Sequence, residues 1–312
     1  MATTNSIDTT YAGEFAGDYI SAALLSGNTL AQGGITVKPN IAFKHVIKKG
    51  ETDDILKDAS CDFDPTSTVT LTERILQPEE FQVNLQLCKK DFISDWEAGQ
   101  MGLSAYKNMP PKFSDFLLGH VAEKVAQRIE TNIWAGVDSA NGQFDGFTTL
   151  FASDADVLDV TGTAAVTAAN VIDKLGDTVD LIPSTVKAKD DTTIYVSSNV
   201  FYAYVRALGG FGSITSNAGA NGVDNRGTLW YNGGNLKFDG INIFLANGLG
   251  DNKMVAAQKS NLLFGTGLLR DQNEVKVIDM ADIDGSQNVR IVMRMTAGIQ
   301  YGIGSEIVYY TA

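Results

Sequence analysis

The chain has 312 residues, with 24 basic and 37 acidic side chains and a formal net charge of −13. That excludes a general nucleic-acid binder held by phosphate contacts, which needs a basic face. Hydrophobic content of 44% with 20% charged residues excludes wholesale disorder, and the length suits one large domain or two modest ones. Cys61 and Cys88 show no CxxC spacing and read as free thiols, neither a disulfide scaffold nor a zinc site. The first basic residue is Lys38, so no charged segment precedes an apolar core as a targeting signal requires. No apolar run approaches the roughly 18 residues of a membrane span. The expected compartment is the cytoplasm, or something assembled there.

Residues 1–40 are small, polar and dotted with glycine, with Tyr11, Phe15, Tyr19, Ile20, Leu24 and Leu25 able to line one side of a short helix. Ser26-Gly27-Asn28 and Gln32-Gly33-Gly34 read as loop. Such an arm carries too little apolar surface to fold alone and is expected to lie on another copy of the chain. Ile41, Phe43, His45 and Ile47, then Val69, Leu71, Glu73 and Ile75, show the period-two spacing of strands. The acidic stretch between them, from Gly50 to Pro65, predicts the tip of a long hairpin over 41–78. A lone hairpin is marginal in water and needs a neighbour.

Phe81, Val83, Leu85 and Leu87 alternate with Glu80, Gln82, Asn84 and Gln86, which predicts a half-buried strand. A short polar helix around Ser94 to Met101 is expected next. Pro110-Pro111 and Gly136 then bracket a rod helix over 111–136. Phe113, Leu117, Val121, Val125, Ile129 and Ile133 form its apolar stripe, broadened by Ala122 and Ala126. Glu123, Lys124, Gln127, Arg128 and Glu130 are expected on the polar side. A second helix is expected near Ala168 to Ile182, with Ile172, Leu175, Val179 and Ile182 inward and Pro183 ending it. Thr193–Val196 reads as a buried strand, followed by a helix through Leu208 capped by Ser197 or Ser198. Residues 209–235 are glycine-rich and read as a loop. Further strands are expected at Ile241–Leu245, Met254–Ala257, Val275–Ile278, Val289–Met295 and Ile307–Tyr310. No period of 20 to 50 residues repeats, which excludes a solenoid.

Motifs for chemistry are absent. The two histidines, His45 and His120, have no ligand partners at metal spacing. There is no G-x-S-x-G turn and no phosphate-cradling G-x-x-x-x-G-K-[ST]. Gly298, Gly302 and Gly304 follow a strand but lead into another strand, so they do not form a dinucleotide fingerprint. Asp279, Asp282, Asp284 and Gly285 imitate a calcium loop. With Gly285 as its sixth residue the loop would begin at Met280 and end at Ile291, and neither is an oxygen ligand. No catalytic, cofactor-binding or metal site is expected, and the chain is not expected to be an enzyme.

The order of parts resembles the major capsid proteins of tailed phages, with the α+β Hong Kong 97 capsid fold. Ile133-Trp134-Ala135-Gly136 followed by Asp145-Gly146-Phe147 is similar to the segment after that family's spine helix. Ile194-Tyr195-Val196-Ser197-Ser198 with Tyr202, Tyr204 and Leu208 resembles its lobe strand and helix. Asp239-Gly240-Ile241-Asn242-Ile243 resembles the turn after its glycine-rich loop, and Asn288–Met295 with Gly298–Gly304 its closing strands. The resemblance implies an N-terminal arm at 1–40 and an extended hairpin loop at 41–78. It implies a peripheral domain at 79–148 with the spine helix 111–136, an axial domain at 149–270, and return strands of the peripheral domain at 271–312.

By the same resemblance the chain would self-assemble into hexamers and pentamers. These would form an icosahedral or prolate shell enclosing double-stranded DNA, without sequence-specific binding, in a virion assembled in the host cytoplasm. Its partners would be other copies of itself, a portal and a scaffolding protein, with a decoration or minor capsid protein as a further candidate and no membrane. Some members of the family join a hairpin lysine to an asparagine of a neighbour. Lys48, Lys49 and Lys57 are available here, but no motif fixes an acceptor and crosslinking is not expected. The short arm starting at Met1 argues against a cleaved leader segment. An encapsulin-type nanocompartment shell is the first alternative, and a soluble α/β enzyme the second.

Overall fold

The computed structural model describes residues 28–52, 68–88, 111–208, 236–267 and 275–312, with isolated positions at 56, 58, 59 and 61. Residues 1–27, most of the hairpin tip, the expected helix at Ser94–Met101 and the glycine-rich segment 209–235 lie outside the described residues.

The chain opens with a short helix, α1 (Asn28–Ala31), and strand β1 (Thr36–Lys38). Asn28, read as loop, opens α1 instead and is buried, while Gln32–Gly34 forms the turn expected there, exposed at Gln32 and Gly33. Thr29 is fully buried and Ile35 nearly so, because both are wedged against the rod helix and the second sheet. The hairpin strands are β2 (His45–Thr52) and β3 (Val69–Leu76), paired antiparallel from His45↔Leu76 to Thr52↔Val69. The first strand starts four residues later than Ile41 suggests. Ile41 is held elsewhere, its N–H donating to Thr266 O at 3.1 Å.

Strand β4 (Glu79–Cys88) follows, with half-buried Phe81 and Val83 alternating with exposed neighbours. The rod helix α2 (Pro111–Ala135) has 25 residues and spans about 38 Å at 1.5 Å per residue. Val121, Ile129 and Ile133 are buried as the stripe requires. Glu130 departs from expectation: it is 1% exposed. Hydrogen bonds described below make that burial tolerable.

A tight turn joins the rod to α3 (Phe147–Ser153), which the sequence reading did not anticipate. Gly146 N–H donates to Gly136 O at 2.9 Å. A Cβ on Gly136 would stand 2.2 Å from Phe144 O, so only glycine allows this approach. Next come β5 (Leu158–Thr161), α4 (Val171–Asp180), α5 (Ser184–Lys187), β6 (Thr192–Val196) and α6 (Ser198–Leu208). In α4 the inward frame runs Val171, Leu175, Thr178, Val179, and Ile172 is exposed. The four-residue spacing from Val171 puts Val171, Leu175 and Val179 on one stripe and leaves Ile172 beside it. The chain closes through β7 (Lys237–Phe238), β8 (Ile241–Leu245), β9 (Lys253–Gln258), β10 (Leu262–Gly265), β11 (Val275–Asp279), α7 (Ala281–Asp284), β12 (Asn288–Tyr301) and β13 (Val308–Thr311).

Two sheets organise these strands. In the first, β4 pairs antiparallel with β12 over ten positions, Glu79↔Ala297 to Cys88↔Asn288, while β11 pairs with β12 over Val289–Met293. The end of β12 turns to β10, which pairs parallel with β1. The second sheet is six-stranded in the order β5-β13-β9-β6-β8-β7. Strand β10 thus belongs with the sheet of β4 and β12, although it falls within 149–270. Strand β13 belongs with the lobe strands, although it falls within 271–312. The chain crosses between the sheets at both places.

The second sheet is buried on both faces. Tyr195, Val255, Ala257 and Tyr309 face one core together with Ile133, Trp134, Phe147 and Phe151. Ile194, Val196, Met254, Ala256, Val308 and Tyr310 face the other, under α4 and α6. This alternation is the period-two consequence of strand geometry. The first core also takes in Leu262, Phe264, Ala297, Ile299 and Tyr301, so it joins the two sheets.

Candidate assembly surfaces and the joints that hold them

Among the described residues, no chemistry-bearing constellation forms at the positions the sequence singled out. His45 opens β2, and His120 lies midway along the rod. Cys61 is exposed and Cys88 ends β4. Gly298 sits inside β12 opposite Gly265, where the strand passes the Gln77–Pro78 backbone. Asp279 and Asp284 accept N–H bonds from Ala281 and Ser286 and so cap local turns. Among the described residues, no three His, Cys, Asp or Glu side chains are grouped to hold a metal ion. Lys48 and Lys49 stand opposite Glu73 and Thr72 on the hairpin.

What stands out instead is exposed apolar surface on the hairpin. Leu71 is 71% exposed and Val69 67%, and Val46, Ile75 and Phe43 are exposed as well. Beyond its root these side chains find no cover among the described residues.

The root itself is pinned. Arg74 of β3 forms an ion pair with Asp154, at the end of α3, and lies over the Tyr301 ring with its guanidinium carbon 4.4 Å from the centroid. Tyr301 Oη donates to Asp154 Oδ2 at 2.6 Å. Burial works against the Asp154 carboxylate. The Tyr301 hydroxyl, the Asp156 N–H and Arg74 outweigh it and hold its pKa below the usual carboxylate value. A depressed pKa contributes stability above the unfolded value, lost as pH falls through the folded one. The latch is therefore intact at neutral pH and opens only in acid. Arg74→Ala is expected to leave the cores folded while raising hydrogen exchange across β2 and β3 several-fold at pH 7. Unchanged exchange there would show that the pin does not hold the hairpin.

A second joint ties α1 to the rod and the lobe. Thr29 N–H donates to Glu130 Oε2 at 3.1 Å, and Thr29 Oγ1 donates to Glu130 Oε1 at 2.5 Å. Trp134 Nε1 donates to Thr29 Oγ1 at 2.9 Å, and Asn28 Nδ2 donates to Leu245 O. From the lobe, a Cβ on Gly248 would stand 2.0 Å from Glu130 O, so this loop presses directly on the rod backbone. Burial pushes the Glu130 carboxyl up, and its bonds from Thr29, the Gly248 N–H and Trp134 offset this only in part. A carboxyl raised in the folded state holds its proton more tightly there, so its contribution to stability falls as pH rises through the folded value. Glu130→Gln is expected to lower stability overall and to flatten the pH dependence of thermal unfolding above pH of about 4.5. An unchanged slope would show that Glu130 does not titrate in this joint. Neither joint was legible in the sequence, because their partners lie 80 and 101 positions apart.

No helix among the described residues is long and apolar enough to cross a membrane. No protein-family model and no curated protein matches the chain. Solved structures do. The capsid of a native GTA particle matches with a TM-score of 0.62 at 13% identity, covering 95% of this chain and 94% of that one. The capsid of Myoviridae Phage XM1 matches with a TM-score of 0.61 at 12% identity, covering 96% of both chains. A satellite phage P4 procapsid that includes a size determination protein matches with a TM-score of 0.52 at 11% identity, covering 91% and 96%. At these identities the likeness establishes the fold: this chain has, over nearly its whole length, the fold seen in these phage and GTA capsids.

Proposed function

We propose that the chain is the major capsid protein of a tailed phage, a coat subunit whose copies form hexamers and pentamers in a closed shell around double-stranded DNA. The observation that carries this reading is the hairpin β2–β3, pinned at its root and presenting Val69, Leu71 and Ile75 to solvent. A two-stranded hairpin is not stable by itself, and contiguous exposed apolar surface marks an interaction site. The capsid fold supports the same conclusion, since neighbouring copies would cover that surface.

Self-assembly needs no strong single contact. A standard interface buries about 1,600 Å², and several such contacts per subunit combine by multivalency. Closed symmetry limits growth to a shell. The net charge of −13 suits a container wall that does not grip packaged DNA. The first sheet with the rod serves as the peripheral domain and the six-stranded sheet as the axial domain, with the hairpin and arm lapping onto neighbours. The role is structural rather than enzymatic. Portal and scaffolding proteins are the expected assembly partners, the latter supported by the size determination protein in the P4 procapsid. The subunit is placed in the virion, assembled in the host cytoplasm.

Sedimentation of the chain, expressed together with its scaffolding and portal partners, tests this. Particles of hundreds of copies are expected. A species that stays monomeric under those conditions would refute the coat role.

A further inference from the structure

We propose that β4 is an open sheet edge that pairs antiparallel with β4 of a second copy of this chain, so that two subunits share one continuous sheet. The inference rests on the coat reading above and adds one specific contact to it. Among the described residues, β4 has a strand neighbour on one side only, β12. The outward N–H and C=O groups along its other edge, in a strand of 10 residues, have no backbone partner among those residues. Such a row is a template for another strand, and proteins normally protect it with charge or proline.

The other described edges of this fold carry that protection. Lys38 stands in β1, Asp159 in β5, Lys237 in β7, and Lys276 and Asp279 in β11. Both hairpin strands are charged as well, by Lys48 and Lys49 and by Glu73 and Arg74. From Phe81 to Cys88, β4 has neither a charge nor a proline. In a chain of net charge −13, that uncharged edge is where two copies approach without repulsion.

The strand is also complementary to itself. Setting Asn84 opposite the partner's Asn84 places Gln82 opposite the partner's Gln86, and Val83 opposite the partner's Leu85. Asn84 is the midpoint of Phe81–Leu87, so this register uses the whole uncharged run and puts the two Glu79–Glu80 pairs at opposite ends of the joint. Paired positions share parity, so each face of the sheet continues across it. On one face Gln82, Asn84 and Gln86 are exposed, and amides both donate and accept. Arg290 Nε already donates to Gln86 Oε1 at 3.0 Å, so Gln86 meets the partner's Gln82 as a donor through its NH2. On the other face Leu85 is 43% exposed, and the partner's Val83 covers it. A patch that meets its own copy is isologous and needs a two-fold axis, which a closed icosahedral shell supplies between capsomers.

The test uses full-length chains in assembled particles, with Cys61→Ser and Cys88→Ser as the background. Directly opposed cross-strand residues have Cβ atoms about 4.5–5.5 Å apart, within reach of a disulfide after a small shift. Asn84→Cys is expected to give, on mild oxidation, a dimer linked at position 84. Gln82→Cys alone should give none, because position 86 lies opposite it, whereas Gln82→Cys with Gln86→Cys should link. In the unaltered chain, hydrogen exchange across 81–88 should slow several-fold on assembly, a readout that needs no substitution. Particles that form normally without a link at position 84 would overturn the self-pairing and leave the coat reading standing, as would unslowed exchange across 81–88 in particles of the unaltered chain. An unaltered chain that forms no particles with its scaffolding and portal partners would count against both.

Discussion

Trp134→Ala is expected to lower the free energy of unfolding by about 3–5 kcal/mol, the usual range for emptying a large aromatic site in a core. Trp134 is fully buried where the rod, α3 and the six-stranded sheet meet. Its ring contacts Phe147 and Tyr195 at centroid distances of 5.6 and 5.1 Å. Its indole N–H supports Thr29, the residue that satisfies the buried Glu130 carboxylate. Removing it opens a cavity and loosens that polar joint, so the two costs fall on one site. Trp134→Phe, which keeps most of the volume and loses the N–H, should cost clearly less. Denaturant melts of the two variants decide the matter. Equal losses would place the energy in the hydrogen bond and not in the packing.

Leu71→Asp combined with Val69→Asp is expected to behave in the opposite way, with a normal fold and no shells. Both side chains are mostly exposed, so folding stability should change by no more than about 0.5 kcal/mol each, as for other surface positions. In an assembly the same patch is used once per subunit, and a charge buried there without a partner is penalised at every copy. Unfolding midpoints near those of the unaltered chain, with sedimentation showing only small oligomers, is the expected pair of results. Normal shells from this variant would remove the hairpin from the assembly mechanism.

Truncation through residue 30 would remove Asn28 and Thr29, which are buried and bound to Leu245, Glu130 and Trp134. A truncation that tests the arm alone stops at residue 27.

The sequence made the regular parts legible. Alternation at Phe81–Leu87 marked β4, and the four-residue stripe from Val121 to Ile133 marked the rod, because solvent on one side leaves a period in the residues. The same reasoning placed β6, β8 and β9, though their burial on two faces hides which face meets which core. It failed where a long-range partner overrides local character. Glu130 reads as a surface residue of an amphipathic helix until Thr29 is brought to it from 101 positions away. Asn28 reads as loop because its burial comes from the rod and the Leu245–Gly248 turn, not from its own pattern. Arg74 looks like any outward charge on a strand, and only the fold sets Tyr301 under it. The swap of β10 and β13 between sheets is likewise a property of pairing, which short apolar runs do not specify. The hairpin's apolar face was visible in the sequence, whereas its exposure was not.

Electron cryomicroscopy of particles formed by this chain tests the central claim most directly. The account predicts closed shells of hexamers and pentamers, with each hairpin's Val69–Leu71 face covered by a neighbouring subunit. Discrete monomers, or shells in which that face stays open to solvent, would contradict it.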